Sequence, residues 1–249
     1  MASIIKKLTV RKNNKEKEVK KDEINKDERD VISIVNKLVF IANESINKDK
    51  IKHLKNKEVV QWILQDTSFF PNNSKEKTKK ATTEKNRIEE NKWGAKITGK
   101  NKQWTNKFGE DICKELFILL GKDIKNATKK SCSEGEKEKR YQPDFETDDY
   151  VIEAKTETYF TEGTASEKIL GVPFKYADVP ELYGKMLKIV CIGGAEQMCV
   201  EEYGILSDRM ITRQKQKFID FYKENRIEYI GASQIIKQII EENDILFSK

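Results

Sequence analysis

The chain has 249 residues, with 48 Lys plus Arg against 42 Asp plus Glu, a formal charge of +6, and 37% apolar residues. That is enough for one large or two small domains with a buried core. No apolar run approaches the ~20 residues that span a bilayer, and Met1–Val10 lacks the apolar stretch of a signal peptide, so a cytoplasmic protein is expected. His53 is the only imidazole, which excludes any multi-histidine zinc site and leaves a Ser-His-Asp triad or a Cys-His dyad nothing else to build on.

Residues 6–30 mix Lys, Glu, Asp and Asn with little apolar content and read as a solvated arm or helix. Val31–Ile46 places Val31, Ile34, Val35, Leu38, Val39, Ala42 and Ile46 at helical spacing. His53 follows as an ordinary surface histidine. Val59–Leu64, with Phe69 and Phe70, predicts a second helix ending near Pro71. Asn72–Gln103 is read as a polar stretch. Thr105–Leu120 predicts an amphipathic helix burying Phe108, Ile112, Leu116, Leu119 and Leu120 and closed by Gly121.

From Tyr141 the period changes. Tyr150–Thr156 alternates apolar and charged residues, and Leu187–Ile192 is a short buried run ended by Gly193-Gly194, so both are predicted strands. Arg209–Glu224 reads as a helix, Ile227–Ile230 as a strand and Ala232–Glu242 as a final helix. The expected fold class is α/β (α+β): a central mixed β-sheet flanked by helices, with an N-terminal helical layer. Residues 1–90 would form the helical, basic N-terminal region and residues 91–249 the core. Cys113, Cys132, Cys191 and Cys199 show neither CxxC spacing nor a disulfide rhythm, and free thiols are expected.

Charge is divided unevenly. Residues 1–140 carry 35 basic and 22 acidic side chains, a net of +13, whereas 141–249 carry 13 and 20, a net of −7. A surplus of that size suits a polyanionic partner, and an acidic half suits carboxylates held for a metal or for catalysis.

The informative segment is Gln142–Lys155. On a strand, Glu153 and Lys155 share one face while Tyr150, Ile152 and Ala154 point to the other. Thr147-Asp148-Asp149 supplies a turn that can set Asp144 beside Glu153 in an antiparallel hairpin. Two facing carboxylates repel unless a cation lies between them, and oxygen ligands with retained waters suit Mg²⁺. A lysine beside that ion can orient an attacking water and stabilise charge growing on phosphorus. Spacing alone is weak, since E-x-K also occurs at Glu18–Lys20; Pro143 and the alternating strand supply the context.

At Pro143-Asp144, followed after eight residues by Glu153-Ala154-Lys155, the chain resembles the PD-(D/E)xK nuclease superfamily, and specifically type II restriction endonucleases, from about Trp93 to Ile240. The resemblance implies a restriction-endonuclease-like core in which Asp144, Glu153 and the Ala154 carbonyl bind Mg²⁺ and Lys155 serves the attacking water. Many members also place a glutamate on the preceding helix. Here Glu110 is the better match, with Glu115 one turn later; each has the alternative of a simple helix charge.

Asn91–Lys107 holds five lysines, two tryptophans and no acid, a composition suited to a loop tracking a DNA backbone through Lys92, Lys96, Lys100, Lys102 and Lys107, with Trp93 and Trp104 anchored in the core. Gly163–Ser166 reads as a small-residue turn entering a helix, which would bring Thr164, Lys168 and Lys175 near the duplex. The function expected is Mg²⁺-dependent, sequence-specific cleavage of double-stranded DNA. A palindromic site would make a homodimer natural. The alternatives are a structure-specific repair or recombination nuclease and a basic DNA-binding module without catalysis.

Overall fold

The computed structural model describes residues 30–70, 79–100, 103–134, 137–160, 165–207 and 211–247. The N-terminal layer begins with α1 over residues 30–44, which buries Val35, Leu38, Ile41 and Ala42. Its end at residue 44 leaves Ile46, expected on the inward face, 98% exposed. Helix α2 (Lys57–Ile63) starts at Asn56, whose side chain accepts the Glu58 amide, and buries Val59, Val60, Trp62 and Ile63.

Two sequence readings are corrected here. The stretch taken as polar contains the 20-residue helix α3 (Lys79–Thr98). Its inward positions Asn86, Glu90, Trp93 and Ile97 do follow helical spacing. Two of the four are polar, however, so apolar periodicity is missing from the sequence. Lys92 and Lys96 therefore project from a helix rather than a loop. His53 is also not a surface residue. It is 7% exposed, packed edge-on against Phe108 with ring centroids 5.0 Å apart. Burial lowers its pKa, with Lys52 acting in the same direction and Glu115 and Asp111 opposing. Flanking lysines concealed this in the sequence.

Helix α4 (Thr105–Leu119) matches the predicted amphipathic helix, and Gly121 follows at φ +68°. Five strands form one mixed sheet: β1 (Lys125–Asn126), β4 (Phe145–Glu146), β5 (Tyr150–Glu157), β6 (Met186–Gly193) and β7 (Ile227–Gly231), in the order β1-β4-β5-β6-β7. The β1/β4 and β4/β5 pairs are antiparallel; β5/β6 and β6/β7 are parallel. Parallel neighbours require crossovers. Helices α5 (Ala165–Leu170), α6 (Val172–Lys175) and α7 (Val179–Tyr183) connect β5 to β6, and α8 (Gly194–Glu201) and α9 (Arg213–Glu224) connect β6 to β7. Strands β2 (Lys130–Glu134) and β3 (Lys137–Tyr141) form a separate two-stranded hairpin, and α10 (Ala232–Glu242) follows β7.

Alternation along the strands sends side chains into two cores. Phe145, Ile152, Val190 and Ile192 pack with α1, α2, α4 and α10, while Val151, Leu187, Ile189 and Cys191 pack with α5 to α8. Strand β6 is buried on both faces, which explains its continuous apolar sequence. The three tryptophans gather in the first core: the rings of Trp93 and Trp104 lie 5.7 Å from that of Trp62. All four cysteines are free thiols; Cys113, Cys191 and Cys199 are buried and Cys132 on β2 is partly exposed. No helix among the described residues is long and apolar enough to cross a membrane.

Candidate active site

The site is built on the β4–β5 hairpin. The turn closes through the Thr147 amide on the Tyr150 carbonyl (2.9 Å) and the Tyr150 amide on Thr147 Oγ1 (3.0 Å). The register pairs Glu146 with Val151 and Phe145 with Ile152, so one further step sets Asp144 opposite Glu153. The carboxylate of Asp144 is fixed there by the Ala154 amide, which donates to Oδ2 at 2.8 Å.

Glu153 is 4% exposed. Lys155 Nζ donates to its Oε1 at 2.6 Å, whereas its Oε2 is buried without a hydrogen-bond partner. Burial and the neighbouring Glu153 push the Asp144 pKa up to about 6, against the pull of the Ala154 amide and Lys155. Two carboxylates are thus held in a poorly solvated place, the deeper of them bonded to one ammonium. Tyr176, 4% exposed after α6, borders the site; its hydroxyl pKa is raised by burial and then by Glu153.

Glu110 reaches the same region from the second turn of α4. Its charge adds to the upward pressure on Asp144, and with Asp144 and Glu153 it raises the thiol pKa of Cys113, which burial raises most. The close approach of α4 to β5 depends on Gly109, where an added Cβ would lie 1.7 Å from Thr156 Oγ1. Glu110 also pairs with Lys107 at 3.4 Å. Glu115, the other candidate on this helix, is engaged elsewhere. It is 4% exposed and accepts the amides of Lys52, His53 and Leu54 at 2.9–3.0 Å, so it anchors the N-terminal layer.

The expected DNA contacts are scattered. Lys92 pairs with Glu89 at 2.9 Å, Lys96 is exposed on α3, Lys100 lies just beyond it, and Lys107 also pairs with Asp111 at 3.0 Å. Lys168 on α5 is exposed and its charge acts on Glu157, while Lys175 donates to the Tyr176 hydroxyl at 3.0 Å. Lys102 and Thr164 lie outside the described residues. As expected, Trp93 and Trp104 are core residues, 7% and 3% exposed.

Two acids escaped the sequence reading. Glu157 shares the Glu153–Lys155 face two residues further along β5, and its pKa is raised by burial against the pull of Lys168 and Lys155. The alternation that selected Glu153 and Lys155 also points to it. Glu90, 0% exposed, accepts Trp62 Nε1 at 2.8 Å and the amides of Tyr159 and Phe160 just past β5. No spacing marks it, because its partners are 28 to 70 residues away.

Among the described residues no group of three or more His, Cys, Asp and Glu side chains is arranged to hold a metal ion. A cation here would rest on two carboxylates, main-chain oxygen and water, which is a Mg²⁺-like donor set. The unpartnered Glu153 Oε2 and the raised Asp144 pKa fit such an ion. The chain matches no protein-family model, no curated protein and no solved structure.

Proposed function

We propose that the protein is a cytoplasmic, Mg²⁺-dependent endonuclease that hydrolyses phosphodiester bonds in double-stranded DNA at a short specific sequence, in the manner of a type II restriction enzyme. The observation that carries this reading is the convergence of Asp144, Glu153 and Lys155, with one buried carboxylate oxygen left unpaired. Asp144, Glu153 and the Ala154 carbonyl would hold the ion. When bound, Mg²⁺ would polarise the phosphoryl oxygen and ease departure of the leaving oxygen.

The chain's own groups have distinct tasks. The Ala154 amide holds Asp144 in one rotamer, so that this carboxylate does not reorganise during the reaction. Lys155, bonded to Glu153 and partly exposed, would orient the attacking water and stabilise negative charge gathering on phosphorus. Its charge also offsets the repulsion between the two acids. Surface lysines of the N-terminal half would hold the phosphate backbone.

Incubation of the protein with a long duplex and Mg²⁺ tests the reading. Discrete fragments support it. Nicking confined to branched or flapped DNA would reassign it to structure-specific repair, and a gel shift without cutting would leave a binding module. Asp144→Ala, Glu153→Ala and Lys155→Ala should each slow cleavage at least ~100-fold while duplex binding persists; full activity in any one of them removes that residue from the mechanism.

A further inference from the structure

On another face of α4 is a hollow of ≈ 380 Å³ to which no part of the proposed reaction has been assigned. Lys50, Lys52 and Lys114 line it, with His53 and Ile118. It shares Lys50, Lys114 and Ile118 with a second hollow of ≈ 380 Å³, whose lining adds Asn47, Lys122 and Asp123. Among the described residues, Lys50, Lys52 and Lys114 have no carboxylate within ion-pair distance.

The acids that border the first hollow are already engaged. Asp111 is bonded by Lys107 at 3.0 Å and lies 3.8 Å from His53 Nε2. Glu115 is buried and accepts three main-chain amides. Lys122, in the second hollow, is paired with Asp149 at 3.0 Å. What remains is a concave surface on which three ammonium groups without an ion-pair partner outnumber the two lining carboxylates, a modest positive excess that attracts anions.

We infer that this hollow binds phosphate, and that its natural occupant is a stretch of polynucleotide backbone. Lysines act as mobile point charges, which suits phosphate oxygens approached from several directions, whereas planar recognition of carboxylates calls for arginine. Two joined hollows suit successive phosphates better than a single ion. Glu110 and Lys114 are one turn apart on α4, which puts their Cβ atoms about 5–6 Å apart. The Lys114 end of the hollow is therefore one helical turn from Glu110, and a polynucleotide following α4 from there passes Glu110. The choice of polynucleotide over a small phosphate ester rests on the nuclease reading; the affinity for phosphate does not.

The test is the salt dependence of duplex binding in EDTA, where nothing can be cut, followed by fluorescence anisotropy. Combining Lys50→Gln, Lys52→Gln and Lys114→Gln should reduce the slope of log affinity against log salt by about 3 × 0.9. Between 50 and 200 mM salt the variant should therefore lose affinity about 40-fold less steeply than the parent. Lys217→Gln with Lys223→Gln, on α9, should leave the slope unchanged, and circular dichroism checks that each variant folds. An unchanged slope in the triple variant, or an equal fall in the α9 control, overturns the inference. Pyrophosphate is the second probe: if its binding disappears in the triple variant while the DNA slope stays as in the parent, the occupant is a small phosphate ester and not a polynucleotide. Cutting in Mg²⁺ is scored separately. A protein that shows the slope change but never cuts loses the nuclease reading and keeps the hollow.

Discussion

Glu90 offers a direct test of the energetics. Its carboxylate is fully buried against Trp62, Tyr159 and Phe160, and desolvation pushes its pKa from the ordinary 4.5 up to about 7 despite three kinds of donor. Because the folded value is the higher one, the unfolded chain gives up this proton first. The contribution to stability is complete below about pH 4.5 and is lost progressively as pH rises through 7, amounting to about 3 kcal/mol. Glu90→Gln keeps an acceptor for Trp62 and cannot ionise, so the stability of the parent minus that of the variant should shrink by about 3 kcal/mol from about pH 4 to about pH 8. Other titrating groups, Asp144 and Glu196 among them, occur in both proteins and cancel. Urea unfolding followed by tryptophan fluorescence reads the difference, since the indole bonded to Glu90 belongs to the ring cluster. A difference that stays level, or grows with pH, would refute the reasoning.

Gly109→Ala should destabilise the fold by about 1–3 kcal/mol, because the new methyl group meets Thr156. In an exposed helix interior the same change would stabilise by about 1 kcal/mol. A thermal melt decides between the signs, and an unchanged or higher Tm would show that α4 does not need to approach β5 so closely. Binding of Mg²⁺ should strengthen as pH rises through about 6, where Asp144 loses its proton. Calorimetric titration of the metal into the protein at several pH values would expose a flat profile, which would exclude Asp144 as a ligand.

The hairpin and its site face were legible in the sequence because strand alternation is local: Thr147–Asp149 dictates the turn, and residues two apart share a face. Strand β6 and helices α4 and α10 were legible for a related reason, since their burial is achieved by apolar side chains. Helix α3 was not, because its inward face uses the polar Asn86 and Glu90, and the partners of Glu90 come from α2 and from just past β5. His53 failed in the same way; Phe108 encloses it from 55 positions away in the chain. The β2–β3 hairpin went unread because its strands are dominated by Lys, Glu and Ser, with no alternating apolar face to mark them. Helix α9 begins at Arg213, where Thr212 caps it by accepting the Lys215 amide; Arg209, the start expected from the sequence, lies outside the described residues.

The placement of the thiols has a practical consequence. Cys113, Cys191 and Cys199 are buried, and thiolate formation is further suppressed by burial at Cys113 and by the contact with Cys199 and then burial at Cys191, so the accessible sulfur for an alkylating dye is that of Cys132. Because that residue stands on the β2–β3 hairpin, outside the main sheet, a fluorophore attached there would report how this ribbon responds to added oligonucleotide. No engineered cysteine would be needed.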